Sequence, residues 1–209
     1  PTLVAMSAPK PPPSKEEIAQ LEPFAGLSLE QIVVISNGRQ AKLALAELLE
    51  QKYVGFDTES RPTFRKGEKS TGPHVLQFST AEKAFIFQQH VTESQDVVIE
   101  LLQSTALTKV GFGLKGDLSQ IANRYGVKTG AIVDLDHSFR KLGYRNAIGA
   151  KTAIAMFFGK KLSKSKSVTT SNWSVAKLSD SQLIYAANDA FAAIQIYEAL
   201  KQREEAAGS

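Results

Sequence analysis

Five polar side chains in this 209-residue chain have types and spacings suited to gathering charge at one place. Asp57 and Glu59 stand two apart in the run Val54-Gly55-Phe56-Asp57-Thr58-Glu59. On a strand, residues two apart share a face, so Tyr53, Gly55, Asp57 and Glu59 line one side, and Val54, Phe56 and Thr58 the other. Two carboxylates at adjacent same-face positions repel each other, and a divalent cation between them removes the conflict. Tyr185 and Asp189 are one helical turn apart in Tyr185-Ala186-Ala187-Asn188-Asp189, on a face that continues as Ala192, Ala193 and Ile196. Asn188 and Gln195 point elsewhere. A carboxylate on so apolar a face is buried, and it needs a cation or several donors. Asp117 heads the amphipathic pattern Leu118, Ile121, Ala122, Tyr125. Taken singly, each feature has an ordinary reading: a solvated strand end, an acid favoured at a helix start, a core tyrosine beside a surface aspartate. Their joint occurrence, each on the element type that orients it, points to one acidic site.

The positioning elements follow from hydrophobic periodicity. A short strand over 32–35 precedes a helix over 39–50. Three strands then come in close succession, over 53–58, 75–79 and 84–87, and such spacing favours an antiparallel meander because parallel neighbours need a longer crossover. Helix and strand alternate afterwards: helix 95–103, strand 107–110, helix 117–125 and strand 131–135, the signature of parallel α/β units. Helices over 136–142 and 147–158, a loop over 159–177, and a helix from Asp180 to about residue 200 complete the chain. Ser179 and Gln182 form a capping box for that last helix. This pattern predicts an α/β fold with a mixed sheet of five or six strands, an antiparallel meander plus parallel strands, flanked by helices. Residues 1–25, with Pro9-Lys10-Pro11-Pro12-Pro13-Ser14, read as a flexible N-terminal arm and residues 26–209 as one domain.

Three stretches carry a resemblance. Val54-Gly55-Phe56-Asp57-Thr58-Glu59, Val110-Gly111-Phe112-Gly113-Leu114-Lys115-Gly116-Asp117 and Tyr185-Ala186-Ala187-Asn188-Asp189-Ala190 resemble the three exonuclease motifs of the DEDD superfamily. Within it the chain is similar to the RNase D and Werner-type 3′–5′ exonuclease domains, and Ser171-Asn172-Trp173-Ser174 resembles the Werner-type branch. The likeness runs from about residue 32 to residue 200. It implies an RNase H-like fold and two divalent metal ions, Mg²⁺ or Mn²⁺. Asp57, Glu59, Asp117 and Asp189 match the metal-binding carboxylates, and Tyr185 the residue that positions water. In the sister subgroup a histidine five residues before the last aspartate replaces the tyrosine; that position is Ile184 here, so the tyrosine branch (DEDDy) is the match. The implied reaction is hydrolysis of DNA or RNA from the 3′ end, releasing nucleoside monophosphates. The chemistry agrees: four carboxylates can hold two cations ~4 Å apart, one activating water and one stabilising the leaving oxygen of an in-line displacement. Mg²⁺ suits such a site because it keeps waters and accepts carboxylate and phosphate oxygens together. A tyrosine with an ordinary pKa of about 10 orients the water as a neutral group.

The surroundings supply the candidate nucleic-acid contacts: Thr58 between the two acids, the lysine loop, and Trp173. Lys160, Lys161, Lys164 and Lys166 crowd into seven positions before the last helix, where a basic rim meets the phosphates that the acids cannot. Arg61, Arg65, Lys66 and Lys69 follow the first acidic pair and are candidates to flank the same groove. Trp173 is suited either to stacking on a base or to packing its loop. His74, His90 and His137 have no metal-ligand spacing.

Two rival readings remain. Gly111–Gly116 is a literal G-x-G-x-x-G between a strand and a helix, with Asp134 near the place of a ribose-binding acid, as in a dinucleotide-binding domain. Against it, Asp117 sets a carboxylate where pyrophosphate would meet the helix, and Asp57, Glu59 and Asp189 go unexplained. The other rival is a catalytically idle nucleic-acid-binding module of the same fold, which has no use for a packed acidic cluster. The net charge of +4 and the 43% apolar and 22% charged content are ordinary for a globular protein. The absence of cysteine excludes disulfides and thiolate metal sites and fits a cytoplasmic protein. No apolar run is long enough to span a bilayer, so a nucleic acid and not a membrane is the expected partner. The sequence sets no oligomeric state.

Overall fold

A computed structural model describes residues 9–208. Strands β1 (Ile32–Val34), β2 (Tyr53–Glu59), β3 (Val75–Ser79), β4 (Ala84–Gln88), β5 (Thr108–Gly111) and β6 (Ile132–Asp134) form one sheet in the order β1-β4-β3-β2-β5-β6. The meander β2-β3-β4 is antiparallel as expected, β5 joins β2 in parallel, β6 joins β5 in parallel, and β1 runs parallel to β4. An antiparallel β3 beside the central β2 is incompatible with the all-parallel core of a dinucleotide-binding half.

Helices cover both faces. α1 (Lys15–Ala19), α2 (Gly38–Leu49), α3 (Gln95–Gln103), α4 (Lys115–Tyr125), α5 (Leu135–Lys141), α6 (Ala150–Phe158), α7 (Lys166–Thr169) and α8 (Asp180–Ala207) follow in chain order. Ala41, Ala44 and Leu48 of α2 and Val98, Leu101 and Leu102 of α3 pack on Val54, Phe56, Phe78 and Phe87. The rings of Phe56 and Phe78 lie 5.1 Å apart, and those of Phe78 and Phe87 5.6 Å apart. Burying each such side chain stabilises the fold by about 1.5–3 kcal/mol. On the opposite face α8 lies across the middle of the sheet, its alanines and Ile194 meeting Val75, Ala84 and Ile86. Strands β3 and β4 are buried at every position, which is why they read as apolar runs and not as alternations.

The contact of α8 with β2 is unusually close. A β-carbon placed on Gly55 would lie 1.8 Å from the carbonyl oxygen of Ala190, so only glycine lets the helix backbone rest on the strand. The capping box at Ser179 is formed as expected, with Ser179 Oγ accepting from Gln182 N at 3.1 Å.

Two expectations are corrected. The arm expected over 1–25 is attached wherever it is described, while residues 1–8 lie outside the described residues. Ser14 caps α1 and Ile18 is buried beneath it. Phe24 N donates to Lys161 O at 2.9 Å, Lys161 N donates to Glu22 O at 2.8 Å, and the Phe24 ring sits 6.0 Å from Phe191. A five-residue helix beside three prolines offers too short a period to be seen in the sequence. The loop expected over 159–177 contains α7. Among the described residues, no helix is long and apolar enough to cross a membrane.

Candidate active site

Asp57, Glu59 and Asp189 each turn a carboxylate oxygen into one spot, and these atoms all lie within 4.8 Å of one another. The period of β2 aims the first two at α8, and the Gly55–Ala190 contact sets Asp189 beside them. Burial, then repulsion from Glu59, Asp189 and Asp117, holds the Asp57 carboxyl well above the usual carboxylate range. Burial and the charge of Asp189 do the same to Glu59. Burial raises Asp189 too, against the opposing pull of a lysine.

That lysine is Lys164. Its Nζ lies 3.2 Å from Asp189 Oδ1 and 5.5 Å from the centre of the Tyr185 ring. Although burial alone would lower it, the surrounding acids push its ammonium far up, so it stays charged. The four lysines of the loop therefore separate. Lys164 enters the acidic site, Lys161 is tied by its backbone to residues 22–24, and Lys160 and Lys166 are exposed.

Asp117 stands apart from the trio, in the first turn of α4. Thr58 points to the face opposite Asp57 and Glu59, is 7% exposed, and donates its hydroxyl to Asp117 Oδ1. Burial raises Asp117 while this bond opposes the shift. The side chain of Thr58, expected among the nucleic-acid contacts, is committed to Asp117. The glycine run before α4 makes the turn that delivers this acid. Gly113 is left-handed (φ +57°), and a β-carbon on Gly111 would lie 2.5 Å from Phe56 O. Asp134 accepts from Gly113 N at 3.0 Å and Leu114 N at 2.8 Å, so its carboxylate closes the turn and is not free for a ribose.

Tyr185 is 8% exposed, and its hydroxyl meets Thr169 Oγ1 at 2.7 Å. Burial, then the charge of Asp189, raises its pKa, so the phenol is neutral at ordinary pH. Trp173 is 1% exposed, packs its ring 5.7 Å from Tyr185 and donates Nε1–H to Thr169 O at 3.2 Å. A base cannot stack on it. The base-stacking expectation is thus replaced by the packing one, with Trp173 and Thr169 together bracing Tyr185.

One contributor escapes a reading of the sequence. Gln77 lies opposite Asp57 in the β2–β3 register and is fully buried. Its Nε2 donates to Glu59 Oε1 and to Ala186 O, each at 3.2 Å. Its Oε1 has no hydrogen-bond partner among the described residues. A lone glutamine in the buried run Val75–Ser79 was the available signal. Oxygen donors of this kind, mutually repelling and beside an orphaned acceptor, suit a hard divalent cation that retains water.

Residues 32–205 match the family described as 3′–5′ exonuclease. The chain belongs to that family. A 3′–5′ exonuclease of Arabidopsis thaliana is 31% identical over 159 residues, covering 74% of this chain and 54% of the relative. The mouse bifunctional 3′–5′ exonuclease/ATP-dependent helicase WRN is 33% identical over 153 residues, covering 70% of this chain and 11% of that protein. The chain thus spans about half the length of the first relative and about a tenth of the second. In fold it resembles the EXO domain of Aedes aegypti Nibbler, with a TM-score of 0.72 at 22% identity over 85% of this chain and 90% of that one. Escherichia coli RNase D gives 0.72 at 18% identity over 84% and 45%. The RNase H-like fold expected from the three motifs is therefore the observed one. The family is divalent-metal dependent, and this member carries an acidic cluster.

Proposed function

We propose that this domain hydrolyses the terminal phosphodiester of a DNA or RNA 3′ end with two divalent ions, Mg²⁺ or Mn²⁺, releasing nucleoside 5′-monophosphates. The observation that carries the reading is the convergence of Asp57, Glu59 and Asp189 within 4.8 Å, beside a neutral, braced tyrosine. Asp57, Glu59 and Asp189 would hold metal, with Asp117 completing the set from the neighbouring turn. Ions held there would supply the charge that activates water and stabilises the departing oxygen. Gln77 fixes Glu59 by hydrogen bonding. Tyr185, its hydroxyl set by Thr169, orients the water as the tyrosine-branch assignment requires. In the reaction the water oxygen bonds to the terminal phosphorus and the bond to the upstream 3′ oxygen breaks. One water proton leaves to solvent, and the departing oxygen takes up a proton. Lys160 and Lys166, exposed on the loop rim, contribute phosphate contacts, and Lys161 holds the loop to the body.

Digestion of end-labelled DNA and RNA oligonucleotides tests the reading. A 3′-labelled strand should lose its label at once as mononucleotide, while a 5′-labelled strand shortens in a ladder. A chelator should stop both, and Mg²⁺ or Mn²⁺ restore them. Early release of labelled mononucleotide from the 5′ end, or digestion indifferent to chelator, would falsify it.

A further inference from the structure

A cleft of about 540 Å³ opens beside the acidic site and has no part in the chemistry above. Arg61, Pro62, Phe64 and Arg65 line it from the β2–β3 connection, and Thr170 and Asn172 from the segment ahead of α8. Both linings are direct continuations of the active site. Arg61 is two residues beyond Glu59, and Thr170 follows Thr169, whose hydroxyl meets that of Tyr185. The volume falls in the range of about 300–1,000 Å³ typical of small-ligand sites.

Phe64 is 84% exposed, leaving in water an apolar ring whose burial would be favourable. The loop holds it there. Glu68 accepts from Phe64 N at 3.1 Å and Arg65 N at 3.2 Å, and pairs with the Arg61 guanidinium at 3.5 Å. Arg61 N donates to His74 Nδ1 at 3.0 Å, fixing the start of the loop to β3. Glu68 also lines the cleft, and its charge is taken up by these donors. Among the described residues Arg65, Lys66 and Lys69 form no ion pair, which leaves the rim positive. Among the described residues none of the other exposed large hydrophobics lines this cleft, so Phe64 is a single ring among cations and not the centre of an apolar protein-binding patch.

A lone aromatic face flanked by the guanidinium of Arg65 and the ammonium groups of Lys66 and Lys69 is the chemistry of single-strand binding, where a base stacks and its phosphates meet cations. Resting on the exonuclease reading, we propose that this cleft holds one unpaired nucleotide upstream of the scissile bond. Its base lies on Phe64 and its phosphate against Arg65.

The test compares the full chain with Phe64→Ala and Phe64→Trp on two substrates: a single-stranded decanucleotide, and thymidine 5′-(methyl phosphate), an ester whose upstream group is a methyl with no ring or phosphate to place in the cleft. In parallel, fluorescence anisotropy with Ca²⁺ in place of Mg²⁺ reads decanucleotide binding without turnover. Phe64→Ala should raise the decanucleotide Kd and KM by about 5- to 150-fold, the worth of one stacked base. The ratio of decanucleotide to ester kcat/KM should fall by the same factor, and Phe64→Trp should restore both. An unchanged ratio and Kd in Phe64→Ala overturn the subsite and leave Phe64 to a protein contact. Wild-type protein that hydrolyses neither substrate would sink the exonuclease reading alone, and the anisotropy would still decide the cleft.

Discussion

Replacing Lys164 by methionine keeps the aliphatic stem and removes the one cation that, among the described residues, pairs with the carboxylate trio. At 3.2 Å and an effective dielectric of about 20, the attraction between its ammonium and Asp189 is about 5 kcal/mol. The lysine side chain is 29% exposed and Asp189 6%, so solvent screens part of that attraction. Proton uptake by one of the acids caps the loss further. A net cost of about 2–3 kcal/mol in metal-free protein remains, somewhat below the usual cost of breaking a buried pair. In a protein of this size that lowers Tm by about 5–10 °C.

Metal should reverse the effect, because an ion seated among the same carboxylates supplies the charge that the lysine no longer does. Metal binding also no longer has to displace the ammonium. Lys164→Met should therefore bind Mn²⁺ about 30- to 150-fold more tightly, the same 2–3 kcal/mol expressed as affinity. Urea unfolding at pH 7 in chelator and across a Mn²⁺ titration measures both quantities. Metal-free stability equal to wild type, or Mn²⁺ affinity unchanged or weaker, refutes the view of Lys164 as the counter-ion of the site.

Other outcomes follow from the same physics. The Asp57 pKa is raised on folding, so above about pH 4 the unfolded chain has released a proton that the folded state retains, and metal-free stability falls as pH rises. Asp57→Asn should abolish hydrolysis yet stabilise the metal-free protein at pH 7 by about 1–4 kcal/mol, less at pH 4, as read by urea melts at the two values. Lys109 is fully buried, donates to Ser104 O at 2.7 Å and Leu107 O at 2.9 Å, and is pushed down to about 8 by burial. Above pH 8 the folded state releases this proton before the unfolded chain does, so stability should rise toward pH 10 by up to about 3 kcal/mol, and the rise should be missing from Lys109→Met. Gly55→Ala drives a methyl into Ala190 O and should cost about 3 kcal/mol in a urea melt together with most of the activity; near-wild-type behaviour would mean that α8 does not rest on β2 as described.

What the sequence made legible depended on how far a side chain's direction is set by local periodicity. Asp57, Glu59, Tyr185 and Asp189 sit on a regular strand and a regular helix, so their faces could be assigned from spacing, and the structure brings the three acids together on those faces. Asn188, on the same helix, is directed away from the site by its spacing. It is buried, and its Oδ1 accepts from Leu27 N at 2.7 Å, because residues 26–27 close over α8 in a way no periodicity reveals. Lys164 is indistinguishable in sequence from its three neighbours. What aims it is an irregular loop pinned by buried Leu162 and by the backbone pairing of Lys161 with the N-terminal segment. Gln77 becomes meaningful only once the β2–β3 register is known, since that register sets it opposite Asp57.

The parallel pairing of β5 with β2 is what makes one site out of distant motifs. Gly55 pairs with Val110 in that register, so Asp57 is level with Phe112, where the chain leaves the sheet for the Gly113 turn. Because the two strands run the same way, the turn carrying Asp117 emerges at the end of β2 that bears Asp57 and Glu59; an antiparallel β5 would send it to the far end of the sheet. The acids then reach the site from two sides of one strand, Asp57 and Glu59 directly under α8 and Asp117 through Thr58 on the face of α4. A slip of β2 by one residue would exchange those roles, turning Thr58 toward Asp189 and the acidic pair toward the Phe78 and Phe87 core. The Gly55–Ala190 contact forbids that slip, since Val54 or Phe56 in its place would set a side chain where the helix carbonyl lies.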